Sequence, residues 1–399
     1  MKITKPAAVS VRTNRKHRKA RHSSCRTILA TSASALLALF ALTHSTPAVA
    51  VTENFTFSPG ITIPDGNPVG ISDTQTPASA INVITGLTVN LSTLGGFNGD
   101  LYIYLVHTTP GGTGFTVLLN RPGKTSGNPI GFADSGFNSV LFSDAAALDI
   151  HGFSSGGPAV TGTFKPDGRN VDPNLVVDTD LPTAMLSSFN GLSAKNGTWT
   201  LFAADMSGTG VAILSNYTLN ITGLSGPFYW KGGTNGLWTG VVNNWAADAA
   251  GTINILATPD STEEVIFSTT NALNRGTTLG ADFTINKLTM TDTVGAVQIN
   301  GANTLTLSGN AGTGIDVQAG ALSLTIGANL TLAGASNTIN VSNAAGATIN
   351  GVIGGSNGLI KTGTGTLTLG GTNNYTGATN INAGTLNLSA TGSTPVAST

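Results

Sequence analysis

The chain has few of the side chains that carry out chemistry. Its 399 residues hold a single cysteine, Cys25, which lies in the first fifty positions. The remainder therefore has no disulfide, no thiol nucleophile and no thiolate metal site. Past residue 50 there are two histidines, His107 and His151, and neither H-x-x-x-H nor H-x-H spacing for zinc. Only 9% of residues are charged, and nine of the eighteen Lys/Arg precede residue 28. From residue 51 onward nine bases face nineteen acids, a net charge of about −10. A polyanion without a basic cluster is excluded as a nucleic-acid or acidic-lipid binder. No stretch after residue 50 sustains a capped helical period, and none approaches the ~20 apolar residues of a membrane span.

The start of the chain reads as an export signal. A basic segment free of acids (residues 1–27) precedes an apolar run from Ile28 to Leu42 and small residues ending Ala48-Val49-Ala50. Basic, apolar and A-x-A segments in that order make a signal peptide over residues 1–50, with cleavage expected after Ala50. Its long basic part resembles the extended signal peptides of bacterial autotransporters and adhesins. The expected location is secreted or cell-surface, with no transmembrane segment after cleavage.

Two compositions follow. Residues 51–223 mix aromatics, Pro, Asp and short apolar runs, whereas residues 228–399 are Gly, Ala, Asn, Thr, Leu and Ile. Leu224-Ser225-Gly226-Pro227 is the breaker cluster expected to link them. In the first part Leu87, Val89 and Leu91 alternate with polar residues. Leu101–Val106 and Thr116–Leu119 flank a Pro-Gly-Gly turn and are expected to pair as a hairpin. Many short strands between Gly/Pro/Asn turns predict an all-β fold, a jelly-roll β-sandwich.

Ordered motifs carry a resemblance. Asn98-Gly99-Asp100-Leu101, Phe142-Ser143-Asp144-Ala145-Ala146, Gly162–Gly168, Leu186–Gly191 and Asn196–Leu201 occur in sequence. Together they resemble the P (homo B) domain that follows the catalytic domain of subtilisin-like proprotein convertases. The resemblance implies a sandwich that stabilises or targets a neighbour, and a link to serine endopeptidases. No protease domain is expected before it.

In the second part, Gly358–Leu369, Asn373-Asn374-Tyr375-Thr376-Gly377 and Ile381–Leu388 are similar to the autotransporter-associated β-strand repeat. Weaker copies are Leu305-Thr306-Leu307, Leu322-Ser323-Leu324 and Leu330-Thr331-Leu332. Leu305 to Leu324 and Leu367 to Leu386 are each nineteen residues apart, which predicts one rung of a parallel β-helix per copy. Phe228–Trp230, Trp238 and Trp245 are expected to cap its first end, with a glycan-binding aromatic platform as the alternative. No ~10-residue alternating strands with aromatic girdles announce a membrane barrel. The chain is therefore expected to be secreted free or to be shortened from a longer autotransporter.

Candidate chemistry is sparse. Gly152-Phe153-Ser154-Ser155-Gly156 matches a nucleophile elbow, but no helix follows to lift the serine, so a surface loop is expected. Glu263 and Glu264 are adjacent on a strand, on opposite faces, and read as solvated charges. Asp100, Asp134, Asp144 and Asp205 lie in or beside loops, where hard oxygen donors would suit calcium. The functional expectation is a secreted structural or interaction protein without catalysis of its own, its partner an extracellular protein or glycan. Two alternatives stand beside it: an accessory module of a serine-protease system, and a glycan-binding module or autotransporter remnant.

Overall fold

A computed structural model describes residues 47–268, 272–309, 312–334 and 337–395. Most of the expected signal peptide, and Cys25 with it, lies outside the described residues. Residues Pro47–Thr399 form one compact unit. It is all-β apart from three short 3-10 turns, and no helix among the described residues is long and apolar enough to cross a membrane.

The first part is a jelly-roll-type sandwich of ten strands: β1 (Val49–Phe57), β2 (Ile61–Ile63), β3 (Asn67–Gln75), β4 (Val83–Gly95), β5 (Leu101–Thr109), β6 (Gly112–Asn120), β7 (Phe137–Phe142), β8 (Thr163–Phe164), β9 (Thr198–Asp205) and β10 (Ala212–Ser225). One sheet runs β1-β10-β4-β7-β8, with β2 also on β10, and the other runs β3-β9-β5-β6. The expected hairpin is β5–β6. Alternation puts Leu87, Val89 and Leu91 of β4 and Leu101, Ile103 and Leu105 of β5 in a common core with Trp199, Leu201 and Tyr217. The other face of β5 carries Tyr102 and Tyr104, and Tyr104 stacks on Phe202 at 4.7 Å.

β10 runs through Leu224 and Ser225, so only Gly226-Pro227 separates it from the solenoid strand Phe228–Trp230. The expected four-residue linker is thus half strand, because Leu224 and Ser225 complete ladders with β1 and β4.

The second part is a three-sided parallel β-helix. Its first face comprises Glu264–Phe267, Lys287–Met290, Thr313–Val317, Thr338–Val341, Leu359–Thr362 and Thr379–Ile381, and Phe228–Trp230 begins it. The inward column on that face is Phe228, Val265, Leu288, Ile315, Ile339, Lys361 and Ile381. On the second face Val297, Leu324, Ala347, Leu367 and Leu386 stack. On the third, Phe283, Leu305, Leu330 and Ile353 stack. Outward positions hold polar ladders, such as Asn340 donating to Asp316 at 2.7 Å. Parallel, in-register stacking lets one Leu-Thr-Leu pattern supply both the core and the polar surface.

The rung length differs from the expected nineteen residues. Along the second face the partners Ile299, Ile326, Ile349, Leu369 and Leu388 give steps of 27, 23, 20 and 19 residues. Leu367 and Leu386 are true neighbours. Leu305 instead stacks on Leu330, while Leu324 belongs to another face. The early rungs have strands on three faces, so the pattern recurs within one rung and not only between rungs. In the last rung Ile381 and Leu388 are about half exposed (53% and 50%).

The sandwich sits against the first rungs. Val83 joins the solenoid core, with Leu224 packed beside it, while Leu256 packs on the sandwich core. The β5–β6 turn approaches so closely that a Cβ on Gly111 would lie 2.2 Å from the Leu256 carbonyl oxygen. Only glycine fits there. Lys195 bonds Asp260 at 2.9 Å, the Thr262 hydroxyl at 2.7 Å, and Glu263. Glu263 is therefore not solvated as expected but 6% exposed and ion-paired, because the sandwich covers it.

Trp230, Trp238 and Trp245 are fully buried in these first rungs. Trp230 and Trp238 each meet Trp245 edge-on at 4.9 and 5.4 Å. Their indole N–H groups donate to Leu273, Thr277 and Trp238 oxygens. Buried and satisfied, they form the packing cap and no exposed platform.

Candidate functional site

The four aspartates fall into three settings. Asp134 accepts from the Ser154 hydroxyl at 3.0 Å and from the amides of Ser155 and Gly157 at 3.0 and 2.7 Å. Its carboxylate ties down the Gly152–Gly156 segment. Asp144 accepts the amides of Leu186 and Ser187 at 3.0 and 2.7 Å, holding the first turn of a 3-10 helix (Leu186–Phe189). Both carboxylates are occupied by backbone donors.

Asp100 and Asp205 are brought together. Asp205 ends β9 and pairs with Leu101 at the start of β5, so the two acids meet at one end of the sheet. Asp205 is fully buried; one oxygen accepts from Ser207 at 3.1 Å, and Oδ2 has no partner among the described residues. Asp100 is 5% exposed, with the Arg121 guanidinium 3.5 Å away. Burial, then the charge of Asp205, pushes the Asp100 carboxyl up to about 6, against the pull of Arg121. Burial likewise raises Asp205.

Asp65, which sequence reasoning missed, adds a third negative charge to their field while accepting from the Thr209 amide at 3.0 Å. Its only signal was a Pro64-Asp65-Gly66 turn, ordinary in any loop. A cavity of about 240 Å³ opens beside Asp100, lined by Phe97, Ile130, Phe132 and Thr209. An orphaned carboxylate oxygen beside a second carboxylate is the chemistry a hard cation takes. Among the described residues, however, no three carboxylate, imidazole or thiol groups converge closely enough to ligate one ion.

The elbow-like segment and the histidines lie apart from this pair. Ser154 faces Asp134 and not an imidazole. His151 is buried, its Nδ1 2.8 Å from Asp167 and its Nε2 3.0 Å from the Lys124 carbonyl. Both neighbours are acceptors, an arrangement that favours the doubly protonated ring. Burial lowers its pKa, but the Asp167 carboxylate outweighs that and the net shift is upward. Arg169 closes the cluster, bonding Asp167 at 3.3 Å and Asp149 at 3.0 Å. His107 stacks on Trp199 at 3.9 Å with carbonyls on both sides. Burial lowers its pKa.

Residues 359–388 match the Passenger-associated-transport-repeat. They make up the last two rungs, from Leu359–Thr362 to Thr385–Leu388. No curated protein matches the chain. Among solved structures, the crystal structure of Aeromonas sobria serine protease (ASP) and the chaperone (ORF2) complex is similar at 18% identity and a TM-score of 0.25. That likeness covers 47% of this chain and 29% of the other. An overlap so limited bears on neither fold nor activity. The transport repeat is characteristic of autotransporter passengers and points to a secreted or cell-surface protein.

Proposed function

We propose that the chain is an exported, passenger-type scaffold in which the sandwich closes one end of a β-solenoid and presents a surface for adhesion, without catalysis of its own. The observation that supports this most is the junction. Two residues carry the chain from β10 into the first solenoid strand, Val83 enters the solenoid core, and Lys195 grips Asp260 and Glu263. A solenoid end exposes unpaired ladders and apolar rungs, so a cap is what a soluble stalk requires. The stabilising role implied by the P-domain resemblance of residues 51–223 fits this arrangement. Of the four aspartates, the Asp100–Asp205 pair is the one that keeps an orphaned oxygen for a cation, whereas Asp134 and Asp144 are occupied by amides.

Two measurements test the proposal. The fragment 228–399 should be cut rapidly by protease and associate in solution, whereas the same rungs in the full chain resist. A monomeric, resistant fragment removes the capping role. N-terminal sequencing of the exported protein should begin at Val51, and a retained leader would refute export by cleavage.

A further inference from the structure

A second concavity shares no residue with the aspartate pair. It is a groove of about 520 Å³ across the outer face of the larger sandwich sheet, within the range of ligand sites. Its floor is a regular polar array on three adjacent strands. Thr52 of β1 stands opposite Thr222 of β10, which stands opposite Gly86 of β4, and Asn220 stands opposite Thr88. Gly86 lowers the floor, since a Cβ there would lie 2.7 Å from the Thr222 hydroxyl. One wall is Ser143–Ala145 and the other runs from Leu186 to Asn190. Asp144 ties the walls together through the Leu186 and Ser187 amides.

The lining selects a ligand class. No Lys or Arg lines the groove and its one charged group is Asp144, so anions are disfavoured, the more so on a chain of net negative charge. No aromatic ring lines it, which disfavours an apolar guest. The floor is a sheet face whose strands are already paired, so a peptide finds no edge to extend. What remains is neutral and rich in groups that both donate and accept, matching the hydroxyls and amides present. The side chains of Thr52, Ser187 and Asn190, and the amide oxygen of Asn220, have no partner among the described residues; the Asn220 amide nitrogen donates to Asn90 at 3.0 Å and to the Thr88 hydroxyl at 3.3 Å, which keeps its own proton free to donate.

We propose that this groove binds a neutral glycan, whose hydroxyls bond Thr52, Thr88, Asn190 and Asn220. The proposal deepens the adhesion reading and rests on it for the compartment in which glycans are met. Its test does not involve the solenoid, so it fails or stands separately from the capping experiment.

The test is affinity electrophoresis of the full chain in native gels containing soluble glucan, mannan or xylan, with polygalacturonate as the acidic control. At least one neutral polysaccharide should retard the protein, and polygalacturonate should not. Thr52 and Asn190 are exposed and unbonded to protein, so the T52V/N190A variant keeps its fold. Each lost hydrogen bond should weaken binding roughly 2- to 12-fold. The proposal is overturned if no neutral polysaccharide retards the chain, if only the acidic one does, or if T52V/N190A migrates like the parent. It is also overturned if Tyr104→Ala, on the opposite sheet, abolishes retardation while T52V/N190A does not.

Discussion

Replacing Lys195 by Met should cost far more than replacing its partner Glu263 by Gln, and the difference should depend on pH. The lysine side chain is 14% exposed and that of Glu263 7%. Removing Lys195 strands the Glu263 carboxylate beneath the sandwich with only the Asp260 amide, 2.9 Å from Oε2, as a strong donor. Breaking a buried pair in this way costs about 3–5 kcal/mol. Glu263→Gln instead leaves Lys195 bonded to Asp260 and Thr262 and strands no charge, so it costs much less.

Burial raises the Glu263 pKa despite Lys195. An acid whose folded pKa is raised opposes folding at pH values above it and ceases to do so as the pH falls below it. The K195M deficit should therefore shrink between pH 7 and pH 5, while that of E263Q should not. Asp260 behaves oppositely. Burial raises it, but the Thr262 amide, Glu263 and Lys195 bring it down to about 2, so it stays charged throughout that window. Urea unfolding followed by tryptophan fluorescence reads the junction directly, since Trp230, Trp238 and Trp245 lie in the first rungs. An E263Q deficit equal to that of K195M, or a K195M deficit unchanged at pH 5, would refute the reasoning.

Four further outcomes follow from the same structure. Asp100 and Asp205 both have raised pKa values, so acidification from pH 7 to pH 5 should stabilise the sandwich; Asp205→Asn should raise stability at pH 7 and flatten that dependence. Calcium should add about 2.7 kcal/mol at 100 times its dissociation constant in the parent and nothing in D205N, and identical parent melts in calcium and chelator would sink the cation site. The raised His151 pKa gives stability that is full below about pH 6.5 and is lost as the pH rises through the folded value; His151→Gln should thus cost more at pH 6 than at pH 9 in denaturant titrations, and an equal cost would mean a neutral ring. Leu330, 1% exposed between Leu305 and Ile353, should cost about 2–5 kcal/mol on mutation to Ala, and a deficit below 1 kcal/mol would mean the rungs collapse around the gap.

The amino-acid sequence alone determined whatever depends on near neighbours. Alternation in Leu87-Thr88-Val89-Asn90-Leu91 and in each Leu-Thr-Leu sets which side chains face inward, because a strand repeats every two residues wherever it lies. The Pro-Gly-Gly turn fixed the β5–β6 hairpin for the same reason. Tertiary structure decided what joins distant residues. Leu305 stacks on Leu330 and not on Leu324 because rung length is set by corners that the pattern does not encode. Glu263 is buried because Lys195, 68 positions earlier, arrives with the sandwich. Four aspartates looked equivalent in loops, yet two are consumed by amides 21 to 43 residues away and two share a buried sheet end that feels the charge of exposed Asp65. The same residue type is solvated, capping or repelled according to which backbone donors and charges the fold delivers to it, and those come from strands far away in the chain.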